Sequence, residues 1–496
     1  MPHPGNRENS WYNLIIDYLK GGTFVKTPEQ EISDTYEKDF LKWDLASLSE
    51  EIKENKLSPV EVTKRLLEKI AAEDGKYNAF ITVAAEEALE QAKRAESEIQ
   101  AGNIRGPLHG VPIAIKDNIY TEGIKTTMGS AIFKDYIPDH DATVVKKLKE
   151  AGAIILGKLN MHEVAFGTSG DRSFAGPVKN PYDLNKITGG SSSGSGAALT
   201  ASLCFGALGT DTGGSIRIPA SFTGTVGMKP TFGRVSNFGV FPLSWTLDHV
   251  GPMTRTVHDN AILMNVLAGY DENDPYSIDK ATEDYTALIG SDINGAVVGV
   301  PSGDFFKGGD PEVEKSYLQA IKKFEEAGAV ITSVNLPDME EILAAFRTTL
   351  TSEAYTVHEK RLQDFPDLWD DEVRTRLVTS KDTHVTHYVD AQQVKRQAIR
   401  EFEGIFEEVD LLITPTVPIL PVNIGEREIT LNGSKIHSSL VLNRYTGPFN
   451  ITGLPSLSMP CGYSDKGLPI GIQLTGKAFN EANIYRFASV LENKLI

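Results

Sequence analysis

Two stretches of this chain share one design: an amphipathic helix, a closing glycine, then at once a short apolar run. The first is "HDATVVKKLKEAGAIILGK". Val144, Val145 and Leu148 fall on one helical face, Asp141 stands where an N-cap is expected, and Gly152 ends the helix. "AIIL" then reads as a strand covered on both faces. The second is "DPEVEKSYLQAIKKFEEAGAVITSV", with Val313, Tyr317, Ile321 and Phe324 as its stripe, Gly328 as its stop and "AVITSV" as its strand. "AVVGVPS" at 296–302 reads as another buried strand. Helices alternating with apolar strands constrain the chain to an α/β fold with a largely buried sheet.

A further helix begins at "LSPVEVTKRLLEKI", with Ser58 as N-cap, Pro59 in the first turn, and Val62, Leu66, Leu67 and Ile70 as the buried stripe. Residues 1–40 are polar and acidic and read as an N-terminal extension with one short helix about Trp11–Leu19. Residues 330–440 are more helical and less patterned, as a lid or flank on one α/β core would be.

With 496 residues, 40% of them hydrophobic, the chain can bury a large core. A net charge of −18 argues against nucleic acid or an anionic membrane as a direct partner. Cys204 and Cys461 stand far apart and outside any CxxC pair, so neither a metal cage nor a disulfide framework is expected. "MPHPGNRENSWYNLIIDYLKGG" lacks the basic and apolar regions of a signal peptide, and the apolar stretch from Ala197 to Gly209 is too short to span a bilayer. A cytoplasmic protein is expected.

Three polar islands interrupt apolar sequence. In "GVPIAIKDN", Lys116 ends an apolar run. Such a lysine either snorkels to solvent or is desolvated, which lowers its pKa and makes it a base near neutral pH. "ITGGSSSGSG" at 187–196 has the composition of a flexible linker. Yet it leads directly into "AALTASLCFGALGTD", small and apolar like a helix packed closely on a sheet. Gly190 to Gly194 also fits the G-x-S-x-G nucleophile elbow, but that turn needs a buried strand before it, and "YDLNKIT" does not read as one. In "GTDTGGSIRIP", successive glycines let backbone N–H groups converge on one point. Without a G-K-[ST] ending, a phosphate loop is less apt than an oxyanion hole beside Ser215 as nucleophile. Asp211 and Arg217 read as a structural ion pair around that turn. Together the islands supply a base, a relay hydroxyl and a nucleophile beside aligned donors.

These blocks resemble the amidase signature family. The likeness runs through "GPLHGVPIAIKDNI", "GKLNMHEVAFGTSG", "TGGSSSGSGAALTASL", "LGTDTGGSIRIPASFTGTVGMKPTFGRVS", "LDHVGPMTRTV", "LLITPTVP" and "TGLPSLSMPCGY…GLPIGIQL", over roughly residues 40–490. It implies one large domain, 41–496, with a mixed, mostly buried central sheet covered by helices on both faces. It also implies a Ser–cisSer–Lys triad of Ser215, Ser191 and Lys116, with a cis peptide between Gly190 and Ser191. The oxyanion donors map to the backbone of Thr212, Gly213, Gly214 and Ser215. Gly190, Ser192, Asp211 and Arg217 would support the site; Met128, Thr168, Ser169 and Gly170 would line the substrate pocket, with parts of 340–450. Ser193 stands where many relatives have glycine. Neither metal nor cofactor is implied, and the expected partner is a small-molecule amide, with a homo-oligomer left open.

Two members of the family fit. One is a free-standing amidase that hydrolyses linear amides to acid plus ammonia or amine. The other is the A subunit of a tRNA-dependent amidotransferase, which takes ammonia from glutamine inside a complex. "IAIKDNIYTEGIKTT" resembles the latter. Its glutamine-recognition segments, however, are not found in 340–450, "NMHEVAFGTSG" looks more like the general amidases, and a 40-residue extension is unusual for it. The free-standing amidase is the expectation.

Overall fold

The computed structural model describes residue 40, residues 43–431 and residues 433–495. The helix expected about Trp11–Leu19 lies outside the described residues. The first half of the chain runs α1 (Leu45–Lys53), α2 (Pro59–Tyr77), β1 (Phe80–Val83), α3 (Ala85–Gln100), β2 (Pro112–Lys116), α4 (Thr143–Glu150) and β3 (Ile154–Leu159). A small hairpin, β4 (Lys179–Asn180) and β5 (Asp183–Ile187), leads to α5 (Ser193–Thr200), β6 (Gly206–Asp211), α6 (Arg217–Thr223), β7 (Val226–Lys229), β8 (His249–Thr254) and α7 (Val257–Leu267). The second half begins β9 (Val297–Pro301), α8 (Pro311–Glu326) and β10 (Val330–Val334). Helices α9 (Met339–Asp364), α10 (Asp371–Val378) and α11 (Val385–Ile405) precede β11 (Leu411–Pro415). A second hairpin, β12 (Glu428–Leu431) and β13 (Ser434–His437), is followed by α12 (Ser438–Leu442), α13 (Gly447–Ile451), β14 (Ser456–Tyr463), β15 (Pro469–Thr475) and α14 (Glu481–Leu495).

Eleven strands form one mixed sheet in the order β1-β3-β2-β6-β8-β7-β14-β15-β11-β9-β10. This is the α/β fold with a mixed central sheet that the sequence implies. β2 is parallel to both β3 and β6, whereas β6 and β8 are antiparallel. The central strands β2, β3 and β6 are buried along their whole length, which is why they read as mostly apolar or small-residue runs, with polar residues only near their carboxyl ends.

The patterned helices and strands form as expected, with two differences. Ser58 caps α2 by accepting the Glu61 N–H, and Val144, Val145 and Leu148 are the buried face of α4. Asp141, however, does not cap α4. Ala142 holds that position, and Asp141 instead accepts the Glu122 N–H and pairs with Lys149. "AVVGVPS" is buried only at Val298 and Gly299, because β9 lies next to the sheet edge formed by β10. Val330 on that edge strand is half exposed.

Residues 339–405 hold α9, α10 and α11. Phe346, Leu350, Trp369, Phe402 and their neighbours form an apolar cluster distinct from the main core, and Met128, Met161 and Phe166 belong to it. The helical flank therefore packs on the loops that follow β2 and β3. No helix among the described residues is long and apolar enough to cross a membrane.

Candidate active site

β2 and β6 run parallel with Ile115 opposite Leu208, so both strands end at the same edge of the sheet. Lys116 is the last residue of β2 and Asp211 the last of β6. Ligand sites of open α/β sheets gather at such carboxyl ends. The Lys116 side chain does not snorkel; it is fully buried. Its Nζ lies 2.7 Å from Ser191 Oγ, 2.7 Å from Thr210 Oγ1 and 3.3 Å from the Thr210 carbonyl. Burial drives its pKa down to about 7, with the Asp211 and Asp248 charges pulling the other way.

Two other lysines, Lys158 and Lys229, are equally buried. Lys158 is spent on the Ile119 carbonyl and the Thr121 and Thr126 hydroxyls. Lys229 donates to the Pro230 and Leu454 carbonyls. Among the three, Lys116 is the one that meets a serine of the Gly/Ser block.

That block is an ordered turn, not a linker. The Gly190–Ser191 peptide is cis, and Ser191 is fully buried. The Gly190 N–H donates to the Thr168 carbonyl at 2.7 Å, and the His162 N–H donates to the Ser191 carbonyl at 3.2 Å. A Cβ on Gly190 would stand 2.6 Å from the Gly170 nitrogen, so the close approach of the two loops requires glycine there. Ser192 ties the turn to β6, donating to the Thr210 carbonyl and accepting the Thr210 N–H. Ser193 opens α5, and Ser195 bonds the Leu208 carbonyl.

Around the block one expectation stands and another is corrected. "YDLNKIT" does contain a strand, β5, but it is a partly exposed hairpin strand paired with β4, so a nucleophile elbow still has no buried strand to stand on. "AALTASLCFGALGTD" is not one helix. α5 stops at Thr200, Ser202 turns with φ +55°, and Gly206 begins β6.

The Gly-Gly-Ser turn is organised by one carboxylate. Asp211 accepts the N–H groups of Gly214 (2.7 Å) and Ile216 (3.2 Å) and two nitrogens of Arg217 (3.0 and 2.9 Å). Arg217 reaches on to the Thr446 carbonyl, Gln473 and Asn450. Both ions are fully buried. Burial alone would raise the Asp211 pKa, but Arg217, helped by Lys229 and Asn450, outweighs it and holds the carboxyl well below its usual range. The ion pair expected as structural is therefore the frame of the turn.

This frame changes the expected donor set. The Gly214 N–H faces Asp211 and is not available to an oxyanion. Among the described residues, the N–H groups of Thr212, Gly213 and Ser215 make no hydrogen bond. Ser215 itself is only 5% exposed and accepts the Ser192 N–H on its carbonyl at 3.1 Å. No hydrogen bond joins the Ser191 and Ser215 hydroxyls among the described residues; the resting contact of Ser191 Oγ is with Lys116.

The residues expected in the pocket divide. Met128 is fully buried in the apolar cluster, with φ +54° and its N–H on the Asp117 carbonyl. Ser169 donates to Asp171, which Arg427 grips with two nitrogens. Gly170, at φ +77°, gives its N–H to His162 and lies against Gly189 and Ser193. Thr168 differs from these: its Oγ1 is buried and has no partner. A cavity of about 800 Å³ opens beside this segment, between Phe166 and Arg172 on one side and Asp370, Arg376 and Asn443 on the other.

Sequence reasoning missed Thr210, which holds the Lys116 amine, and Asn118, whose Nδ2 bonds Thr210 Oγ1 at 3.2 Å. It also missed Asp248, which accepts the Thr212 hydroxyl at 2.6 Å. Thr210 sits within the quoted Gly-Gly-Ser block, so its place at the end of β6 was the available signal. Asp248 lies in a loop with no periodicity to expose it.

An α/β sheet that brings a buried lysine, a cis-peptide serine and a Gly-Gly-Ser turn to one edge is the arrangement of the amidase signature enzymes. The Amidase family model matches residues 61–485, and the chain belongs to that family. Among its relatives, the A subunit of Glutamyl-tRNA(Gln) amidotransferase from Moorella thermoacetica is 40% identical over 90% of this chain and 95% of its own length. Of solved structures, the corresponding protein from Thermotoga maritima superposes with a TM-score of 0.77 at 35% identity, covering 91% of this chain and 94% of that one. A chain from a vestigial protein complex, described as revealing the origins of an s-triazine catabolic enzyme, gives a TM-score of 0.88 at 32% identity over 91% and 98%. The free-standing amidase is thereby overturned as the expected member. The features that favour it, an N-terminal extension, "NMHEVAFGTSG" and segments of 340–450, are local, whereas the likeness to amidotransferase A subunits runs through nine-tenths of the chain.

Proposed function

We propose that this chain is the amide-hydrolysing subunit of a tRNA-dependent amidotransferase and releases ammonia from the side-chain amide of glutamine. The observation that carries the chemistry is the buried Lys116 amine 2.7 Å from Ser191 Oγ. The whole-length likeness to amidotransferase A subunits supports glutamine as the amide donor.

In its neutral form Lys116 has two N–H bonds and one lone pair. Thr210 Oγ1 and the Thr210 carbonyl accept the two N–H bonds, which turns the lone pair toward the Ser191 hydroxyl. Ser191 passes its proton to Lys116 and takes one from Ser215, whose Oγ attacks the amide carbon. The N–H groups of Thr212, Gly213 and Ser215 hold the developing oxyanion, each such contact being worth about 3 kcal/mol. The proton returns through Ser191 to the departing nitrogen, ammonia leaves, and an acyl-enzyme remains on Ser215. Water activated by the same relay releases glutamate. Thr168, with its unpartnered hydroxyl near the Ser191 turn, orients the acyl chain; Met128, Ser169 and Gly170 shape the loops behind it. A net charge of −18 leaves tRNA contact to the partner proteins.

The test is ammonia release from glutamine by the full chain, alone and combined with the other amidotransferase components and glutamyl-tRNA(Gln). The expected result is glutamine-dependent release that rises at least tenfold in the assembly and vanishes in Ser215→Ala. An assembly that forms yet leaves glutamine intact contradicts the proposal.

A further inference from the structure

The loop that carries the oxyanion donors is held from outside the catalytic turn by two carboxylates in series. Thr212 Oγ1 donates to Asp248 Oδ1 at 2.6 Å. The other oxygen of Asp248 accepts the N–H groups of Leu243 (2.8 Å) and Ser244 (3.0 Å). Ser244 Oγ in turn donates to Glu353 Oε2 at 2.7 Å, joined there by the Thr246 N–H at 3.1 Å. The second oxygen of Glu353 accepts the Thr246 hydroxyl and the Tyr388 hydroxyl, both at 2.8 Å. One short turn, 243–247, is thus clamped between a carboxylate facing the oxyanion loop and a carboxylate on α9.

Neither acid is paired with a cation within 4 Å among the described residues, although both are more than nine-tenths buried. Burying a carboxylate is costly, and hydrogen-bond donors offset part of that cost here, although burial still pushes Asp248 up to about 6. Such donors compensate only while they stay aligned, so the pair resists displacement of the turn. α9 meets the same loop a second time. Phe346 lies against Gly213, where a Cβ would stand 2.6 Å from the ring. Phe346 and Glu353 are two helical turns apart on one face, roughly 10 Å. The helix therefore touches the loop directly through Phe346 and indirectly through Glu353, the 243–247 turn and Asp248.

We infer that Asp248 and Glu353 are positioning residues that fix the Thr212–Gly213 backbone, linking helix α9 to the oxyanion loop. The inference rests on the proposed role of that loop. Three variants of the full chain, assayed for glutamine-dependent ammonia release in the assembly, test it. Thr212→Val removes the hydroxyl but keeps the N–H, and is expected to lower kcat by about 10- to 100-fold with KM within about twofold, because the donor is displaced and not deleted. Glu353→Gln is expected to lower kcat in the same manner. The double variant is expected to be no slower than the slower single, as for residues acting in one chain. Glu353→Asp, which keeps the charge, should recover part of the loss. Wild-type kcat in Thr212→Val, or losses that multiply in the double variant, overturns the inference. If Glu353→Gln fails to fold, Thr212→Val with Asp248→Asn provides the same cycle. Ser215→Ala separates the two readings: activity that survives there refutes the nucleophile, whereas its loss there with an unaffected Thr212→Val refutes the positioning chain alone.

Discussion

Replacing Lys116 with methionine should inactivate the protein and, at acidic pH, stabilise it. Methionine fills the same channel without an amine. Burial takes the lysine from its ordinary 10.5 to about 7, so holding it charged in the fold costs about 5 kcal/mol relative to the unfolded chain. The sign follows from proton counts. Between pH 7 and 10.5 the unfolded chain keeps this proton and the folded chain has released it, so stability rises with pH across that window. The penalty is complete below pH 7. From about pH 6 to about pH 9, linkage gives wild type a gain of about 3 kcal/mol that Lys116→Met lacks. The hydroxyls of Ser191 and Thr210 lose their partner in the variant at both pH values, so that loss cancels in the comparison. Urea unfolding of both proteins at these two pH values measures the difference of differences. A stability gap that stays flat between them would refute a titrating buried amine, and with it the base assigned to the relay. The wild-type kcat/KM should rise through about pH 7 over the same range.

Two further outcomes follow from the frame of the catalytic turn. Arg217→Gln leaves Asp211 buried without its cation and should destabilise the fold by about 3–5 kcal/mol, seen as a lowered urea midpoint, whereas Arg217→Lys should recover only part because it cannot reach Asn450, Gln473 and Thr446 together. Gly213→Ala puts a Cβ 2.6 Å from Phe346, a ring also wedged against Gly447. It should cost about 10- to 100-fold in kcat through a displaced donor, while a variant with unchanged kcat would show that the ring yields.

Much of the fold could be read from periodicity, because α2, α4 and α8 each bury one stripe and β2 and β3 are apolar runs broken only by a lysine near their ends. Legibility failed where tertiary context decided the outcome. Asp141 looked like a cap but is drawn to Lys149 and Glu122. α9 reads as weakly patterned because its buried face includes polar Thr349, Glu353 and His358 among the apolar residues. In the site, Lys116 stood out because an isolated polar group inside apolar sequence is costly unless it is used; Ser215 was marked by the two glycines before it, and Ser191 was singled out within its Gly/Ser block by the family resemblance. Thr210, Asp248 and Glu353 did not, since each acts through a partner well along the chain and no local pattern marks a polar residue as the anchor of another. The engagement of Gly214 by Asp211 is likewise a matter of which way one N–H points, which residue order does not record. The choice between a free-standing amidase and an amidotransferase component depends on likeness spread over the whole chain, and no single motif carries it.

On the proposed mechanism glutamine is cleaved through an ester on Ser215. Acid-quenching the assembly during turnover of labelled glutamine and mapping the label by peptide mass spectrometry tests it most directly. The expected result is a γ-glutamyl adduct on the peptide bearing Ser215, absent in Ser215→Ala and slow to form in Lys116→Met. Label on Ser191 or Ser192, or turnover that proceeds with no adduct at Ser215 in a protein that needs Lys116, would contradict it.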